Sequence, residues 1–176
     1  MTELTNEQKA RVFAMYWGCR AYRVVRKTGE LTERDDYSPV NPDLMEYINK
    51  SQSTWSYKLC LTPLSAISDE HAIEVAKLCD DREFNEYSIK RSFFADPMIR
   101  IHLANEHSAF DFEIHSDYDV RFCRCGTYSN FPMTYEAVQH LIQQGYAVPL
   151  FIEVGHPLNG KTAIQLGIAI DKTTLK

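Results

Sequence analysis

Three groups of residues in this 176-residue chain have types and spacings that can do chemistry. Residues 155–162 (GHPLNGKT) fit the phosphate-binding pattern G-x-x-x-x-G-K-[ST]. Such a loop aims backbone N–H groups and a lysine at phosphates, with the final hydroxyl on magnesium. It also needs later strands that carry the metal-binding acid and close a parallel sheet. The chain ends at Lys176, whereas a single crossover unit takes roughly 30 residues. The match therefore reads as structural: a loop in which Asn159 caps a short helix over 160–166 that buries Ile164 or Leu166. Adventitious anion contact at Gly160, Lys161 and Thr162 is the chemistry left to it.

Cys123 and Cys125 stand two apart, on one face of a strand, and His102 and His115 belong to neighbouring strand segments. Zinc takes four such ligands. The strand register derived below puts Cys123 opposite Asp111, with no second cysteine pair nearby, so these read as partly buried thiols. No metal and no cofactor is implied. The third group interleaves aromatics with positive charge: Tyr16, Trp17, Arg20, Tyr22, Arg23, Arg26 and Lys27. Stacking plus phosphate pairing is how single-stranded nucleic acid is held, and Arg20, Arg23, Arg26 and Lys27 are the candidate contacts. Hydrolytic motifs such as G-x-S-x-G or H-E-x-x-H do not occur, and no obvious nucleophile–base pair stands out.

The elements that position these residues follow from patterning. A 44% apolar composition with 9 Phe, 10 Tyr and 2 Trp supplies a core, and the length suits one domain over 1–176. No apolar run approaches a membrane span of roughly 20 residues. The polar N-terminus and five irregularly spaced cysteines suit reduced thiols in a cytoplasm. Net charge is −5, yet the first 28 residues carry Lys9, Arg11, Arg20, Arg23, Arg26 and Lys27 against only Glu3 and Glu7.

Thr5 and Gln8 have the capping-box form, opening a helix whose stripe is Val12, Met15, Tyr16 and Cys19, widened by Phe13 and Trp17. Its end, at Gly18 or beyond Arg20, is open. Residues 28–41 read as loop and 43–50 as one or two helical turns. A strand over 54–61 closes at Pro63. Ser68 caps a helix carrying Ala72, Val75, Ala76 and Cys79 on one face. Residues 82–96 fit helix and strand equally. Thr134 caps a last helix with Val138, Leu141 and Ile142 inward and Gly145 as its left-handed stop.

Between these helices, apolar and polar residues alternate in three segments, 99–103, 110–114 and 120–123. Only registers that keep the apolar residues together are allowed, and the one that joins the first two segments most directly is taken. It pairs Leu103 with Phe110, Ile101 with Phe112 and Ile99 with Ile114. It also sets Arg100 opposite Glu113 and His102 opposite Asp111 on the solvent side, with Glu113 beside Arg121. The expected fold is α+β, an antiparallel sheet of three or more strands flanked by about three helices.

Three blocks, EQKARVFAMYWGCRAYRV, LCLTPLSAISDEHAIEVAK and HLIQQGYAVPLF…GKTAIQLGIAID, resemble a group of uncharacterised phage and prophage proteins from Bacteroidetes-type bacteria. The resemblance implies a mobile-element origin and carries over no functional residue. The expectation is a small cytoplasmic protein of interaction or regulatory type. It would work by contact with a host or phage protein, with nucleic-acid contact through 16–27 as the alternative.

Overall fold

The computed structural model describes residues 4–25, 27–28, 30–32, 37–49, 55–79, 85–91, 99–105, 109–114, 120–124, 127–129, 134–148, 150 and 161–175. The fold is α+β, with four α-helices among the described residues and two five-stranded sheets, one mixed and one antiparallel. The backbone forms two compact units, Met1–Pro63 with Ile142–Lys176, and Leu64–Leu141.

In the first unit, α1 (Asn6–Met15) starts on the expected capping box. Gln8 N–H donates to Thr5 Oγ1 while Gln8 Oε1 accepts from Thr5 N–H. Val12, Phe13 and Tyr16 are buried, but Trp17 lies past the helix end and is 58% exposed, so it does not join the core stripe. The helix stops there, and Arg20–Val25 is a strand, β1. Residues 28–41, read as loop, contain β2 (Tyr37–Pro39), antiparallel to β1 with Tyr22 opposite Tyr37. Then α2 (Pro42–Asn49) leads into β3 (Trp55–Pro63), antiparallel to the other edge of β1 with Tyr22 opposite Lys58.

In the second unit, α3 (Asp69–Cys79) is capped by Ser68, whose Oγ accepts from His71 N–H, and it buries Ala72, Val75 and Ala76. The ambiguous segment resolves, where described, as strand β4 (Glu86–Arg91). Arg91 donates to Ile67 O at 2.8 Å and pairs with Asp69, tying β4 to the start of α3. β5 (Ile99–Ala104), β6 (Ala109–Ile114), β7 (Val120–Arg124) and β8 (Thr127–Ser129) complete the antiparallel sheet in the order β4-β5-β6-β7-β8. Every expected pair is present: Ile99 with Ile114, Ile101 with Phe112, Leu103 with Phe110, Arg100 with Glu113 and His102 with Asp111. Glu113 also stands opposite Arg121, and Cys123 opposite Asp111. The polar face is less open than expected, because Glu113 is only 1% exposed.

The last helix, α4 (Tyr135–Gln143), has Thr134 as its cap and stops at Gly145 (φ +75). It buries Ala137, Leu141 and Ile142, with Val138 half-buried. β9 (Tyr146–Ala147) and β10 (Ala169–Asp171) then add to β3 in parallel, making the first sheet mixed. Before β10 the chain makes a turn over 163–167, not the expected helix over 160–166. Thr162 caps it, exchanging hydrogen bonds with Gln165, while Asn159, the expected cap, lies outside the described residues. Gly167, in the left-handed region at φ +71, closes it: Ile168 N–H donates to Ala163 O and Gly167 N–H to Ile164 O. Ala163, Ile168 and Ala169 are buried, while Ile164 and Leu166 are half-buried.

Candidate functional site: a basic and aromatic sheet face

Of the residues grouped by sequence, Tyr16 is withdrawn into the core. Its hydroxyl accepts the buried Val148 N–H at 3.1 Å, and burial pushes its phenol well above the usual tyrosine range. The others belong to a strand, where side chains alternate between faces. Arg20, Tyr22 and Val24 share one face of the first sheet; Ala21, Arg23 and Val25 share the other. Arg23 is half-buried on the side where Tyr47 of α2 meets Tyr57 of β3, with ring centroids 5.4 Å apart. Arg20 and Arg23 thus cannot serve one flat ligand. Lys27 is exposed, and Arg26 lies outside the described residues.

The Arg20 face gains partners that only strand pairing reveals. The Arg20 guanidinium lies over the Tyr37 ring, 4.6 Å from its centroid, and Tyr37 stands 5.8 Å from Tyr22 at a 50° tilt. Such cation–π contacts hold a mobile side chain in place. Tyr37 keeps 43% of its surface exposed. Lys58 shares the face through its register with Tyr22. Lys172 follows β10 in the short turn Lys172–Thr174 and reaches the same neighbourhood. Burial pushes the Cys60 thiol up, and both Lys172 and Arg20 lie near enough to oppose that rise. Among the described residues, no carboxylate pairs with Arg20, Lys58 or Lys172. Asp171, whose charge also acts on the Cys60 thiol, accepts from both the N–H and the hydroxyl of Thr173. The arrangement can hold anions and stack planar groups.

The remaining groups are less suggestive. Thr162 is buried with its hydroxyl committed to Gln165, which leaves it no metal-binding role in this arrangement; Lys161 is half-buried, and Gly160 lies outside the described residues. Among the described residues, no three His, Cys, Asp or Glu side chains gather for a metal ion; Cys125 and His115 fall outside that set. On the antiparallel sheet, Arg100 Nε donates to Glu113 Oε1 at 2.8 Å, with Nη2 at 2.6 Å from the same oxygen. Beside them the expected pair of His102 and Asp111 is extended by Ser88, which sequence reasoning overlooked, on the other side of His102. His102 Nδ1 lies 2.7 Å from Asp111 Oδ1, but Ser88 and His102 make no hydrogen bond, so no nucleophile–base pair is formed.

Among the described residues no helix is long and apolar enough to cross a membrane. No family model, no curated protein and no solved structure matches the chain.

Proposed function

We propose that this is a small cytoplasmic binding protein of the phage or prophage type its sequence blocks resemble. It works by surface contact, in an interaction or regulatory role, and its contact surface is the Arg20–Tyr22–Tyr37 face of the first sheet. The observation that carries the reading is an exposed tyrosine held under an arginine, beside two lysines that no described carboxylate neutralises. Exposed aromatics and arginine are the residue types that dominate binding energy at contact surfaces. An unneutralised cation cluster on a chain of net charge −5 repels itself and favours an anionic partner.

The test is affinity purification from host cells with the wild-type chain, an Arg20→Glu/Tyr37→Ala variant and an Arg23→Ala variant. Co-purifying protein and nucleic acid are identified with and without nuclease. A partner retained by the wild type and by Arg23→Ala, but lost from the double variant, supports the reading. The same companions with all three chains, or none with any, overturn it.

A further inference from the structure

We propose that the partner of the Arg20–Tyr37 face is single-stranded nucleic acid. This rests on the contact reading above and names the ligand for it. Three features of the face converge. Arg20 and Lys172 supply positive charge near Cys60 and Lys58 adds to the same face, none of them in an ion pair with a described carboxylate. Tyr22 and Tyr37 add rings at the spacing of adjacent strands, one of them well exposed. An acidic peptide would use the cations and leave the rings idle. A duplex would meet the cations with its phosphates but keep its bases stacked inside. Of these three, only an unpaired strand offers phosphates and accessible base faces together, which is how stacking platforms hold it. The Arg20 guanidinium over Tyr37 adds a second planar surface of the kind on which bases stack.

The test is fluorescence anisotropy with labelled oligothymidylate and oligouridylate of about 12 nucleotides, within the span of one small binding face. Three cations at about 0.7 counterions each give a log–log salt slope of about −2, so affinity should fall roughly fifteenfold between about 50 and 200 mM salt. Arg20→Ala should flatten the slope by about 0.7. Tyr37→Ala should weaken binding about tenfold at unchanged slope, and Tyr37→Phe, which keeps the ring, should restore it. Arg23→Ala, on the opposite face, should bind as wild type. Circular dichroism confirms that each variant is folded.

The inference is overturned if neither oligonucleotide binds at about 50 mM salt, or if Arg23→Ala weakens binding as much as Arg20→Ala. It is equally overturned if duplex or polyglutamate competes as well as the single strand while Tyr37→Ala has no effect. A face-dependent partner that survives nuclease, with no oligonucleotide binding, removes this inference and leaves the contact reading standing. Loss of both removes both.

Discussion

Replacing Tyr16 with Phe isolates a single buried hydrogen bond and a single buried titration. The Tyr16 hydroxyl accepts the Val148 N–H at 3.1 Å, and both residues are almost fully buried. The variant keeps the ring and removes the acceptor. A buried donor left without a partner costs about 1–3 kcal/mol, so Tyr16→Phe should lose that much at neutral pH. The pH dependence has a definite sign. Burial raises the folded-state pKa of Tyr16 above its unfolded value of about 10, so the folded state holds this proton more tightly. The contribution is fully present below pH ~10 and is lost as pH rises above it, by at most about 1.4 kcal/mol per unit. The variant lacks that group. The gap between the two proteins should therefore narrow by about 1 kcal/mol between pH ~9 and ~11. Urea unfolding of both proteins at several pH values gives the difference directly, and titrations common to both cancel. A neutral substitution would refute the buried bond. A gap independent of pH would refute the buried phenol.

Three further outcomes follow from the packing. A double-mutant cycle with Arg100→Met and Glu113→Gln should give a coupling of about 1–2 kcal/mol, above the 0.2–1 typical of exposed pairs, because Glu113 is buried although Arg100 is 40% exposed. A coupling below about 0.5 kcal/mol would show the pair to be ornamental. Thr162→Ala should cost about 0.5–2 kcal/mol through its lost cap, while Lys161→Ala should shift Tm by no more than a degree or two. A larger loss at Lys161 would show that its side chain helps to hold the segment. Leu141→Ala, at a fully buried site, should cost about 2–5 kcal/mol, and half-buried Leu166→Ala clearly less; calorimetry that reverses the order would refute the packing described.

The antiparallel sheet was legible residue by residue because Ile99–Ala104 and Ala109–Ile114 alternate strictly, and a shift of one residue would turn every apolar side chain outward. Alternation fixes the face a residue occupies but not its depth. Glu113 was assigned to the right face and the wrong exposure, because a period-two pattern does not show that Arg100, in register, binds its carboxylate. The candidate site was legible only in part. Arg20 and Tyr22 were found by composition, but Tyr37, Lys58 and Lys172 come from three other segments, joined by pairing that a local pattern cannot show. Trp17 directly follows Tyr16, yet one is exposed and the other buried, since the helix ends at Met15 and the chain leaves the helical path at Tyr16.

That ending decides which cations act together. Were α1 to run on past Gly18, Arg20, Arg23 and Lys27 would fall at i, i+3 and i+7 and make one stripe. As a strand, Arg20 and Arg23 divide between two faces while Lys27 lies beyond β1, and Arg20 meets Tyr37 instead. Gly18 enforces the strand: it takes φ +80, and its N–H donates to Val40 O at 3.0 Å, turning the chain toward β2. A methyl group at Gly18 would meet nothing within 4 Å, so the cost of Gly18→Ala is the left-handed backbone alone, about 1–2 kcal/mol. Gly18→Asn, which tolerates that conformation better, should recover part of it. Tm should rank wild type, then Asn, then Ala. If Ala matches wild type, the left-handed turn at Gly18 is not what separates Arg20 from Arg23, and the composition of the face needs another cause.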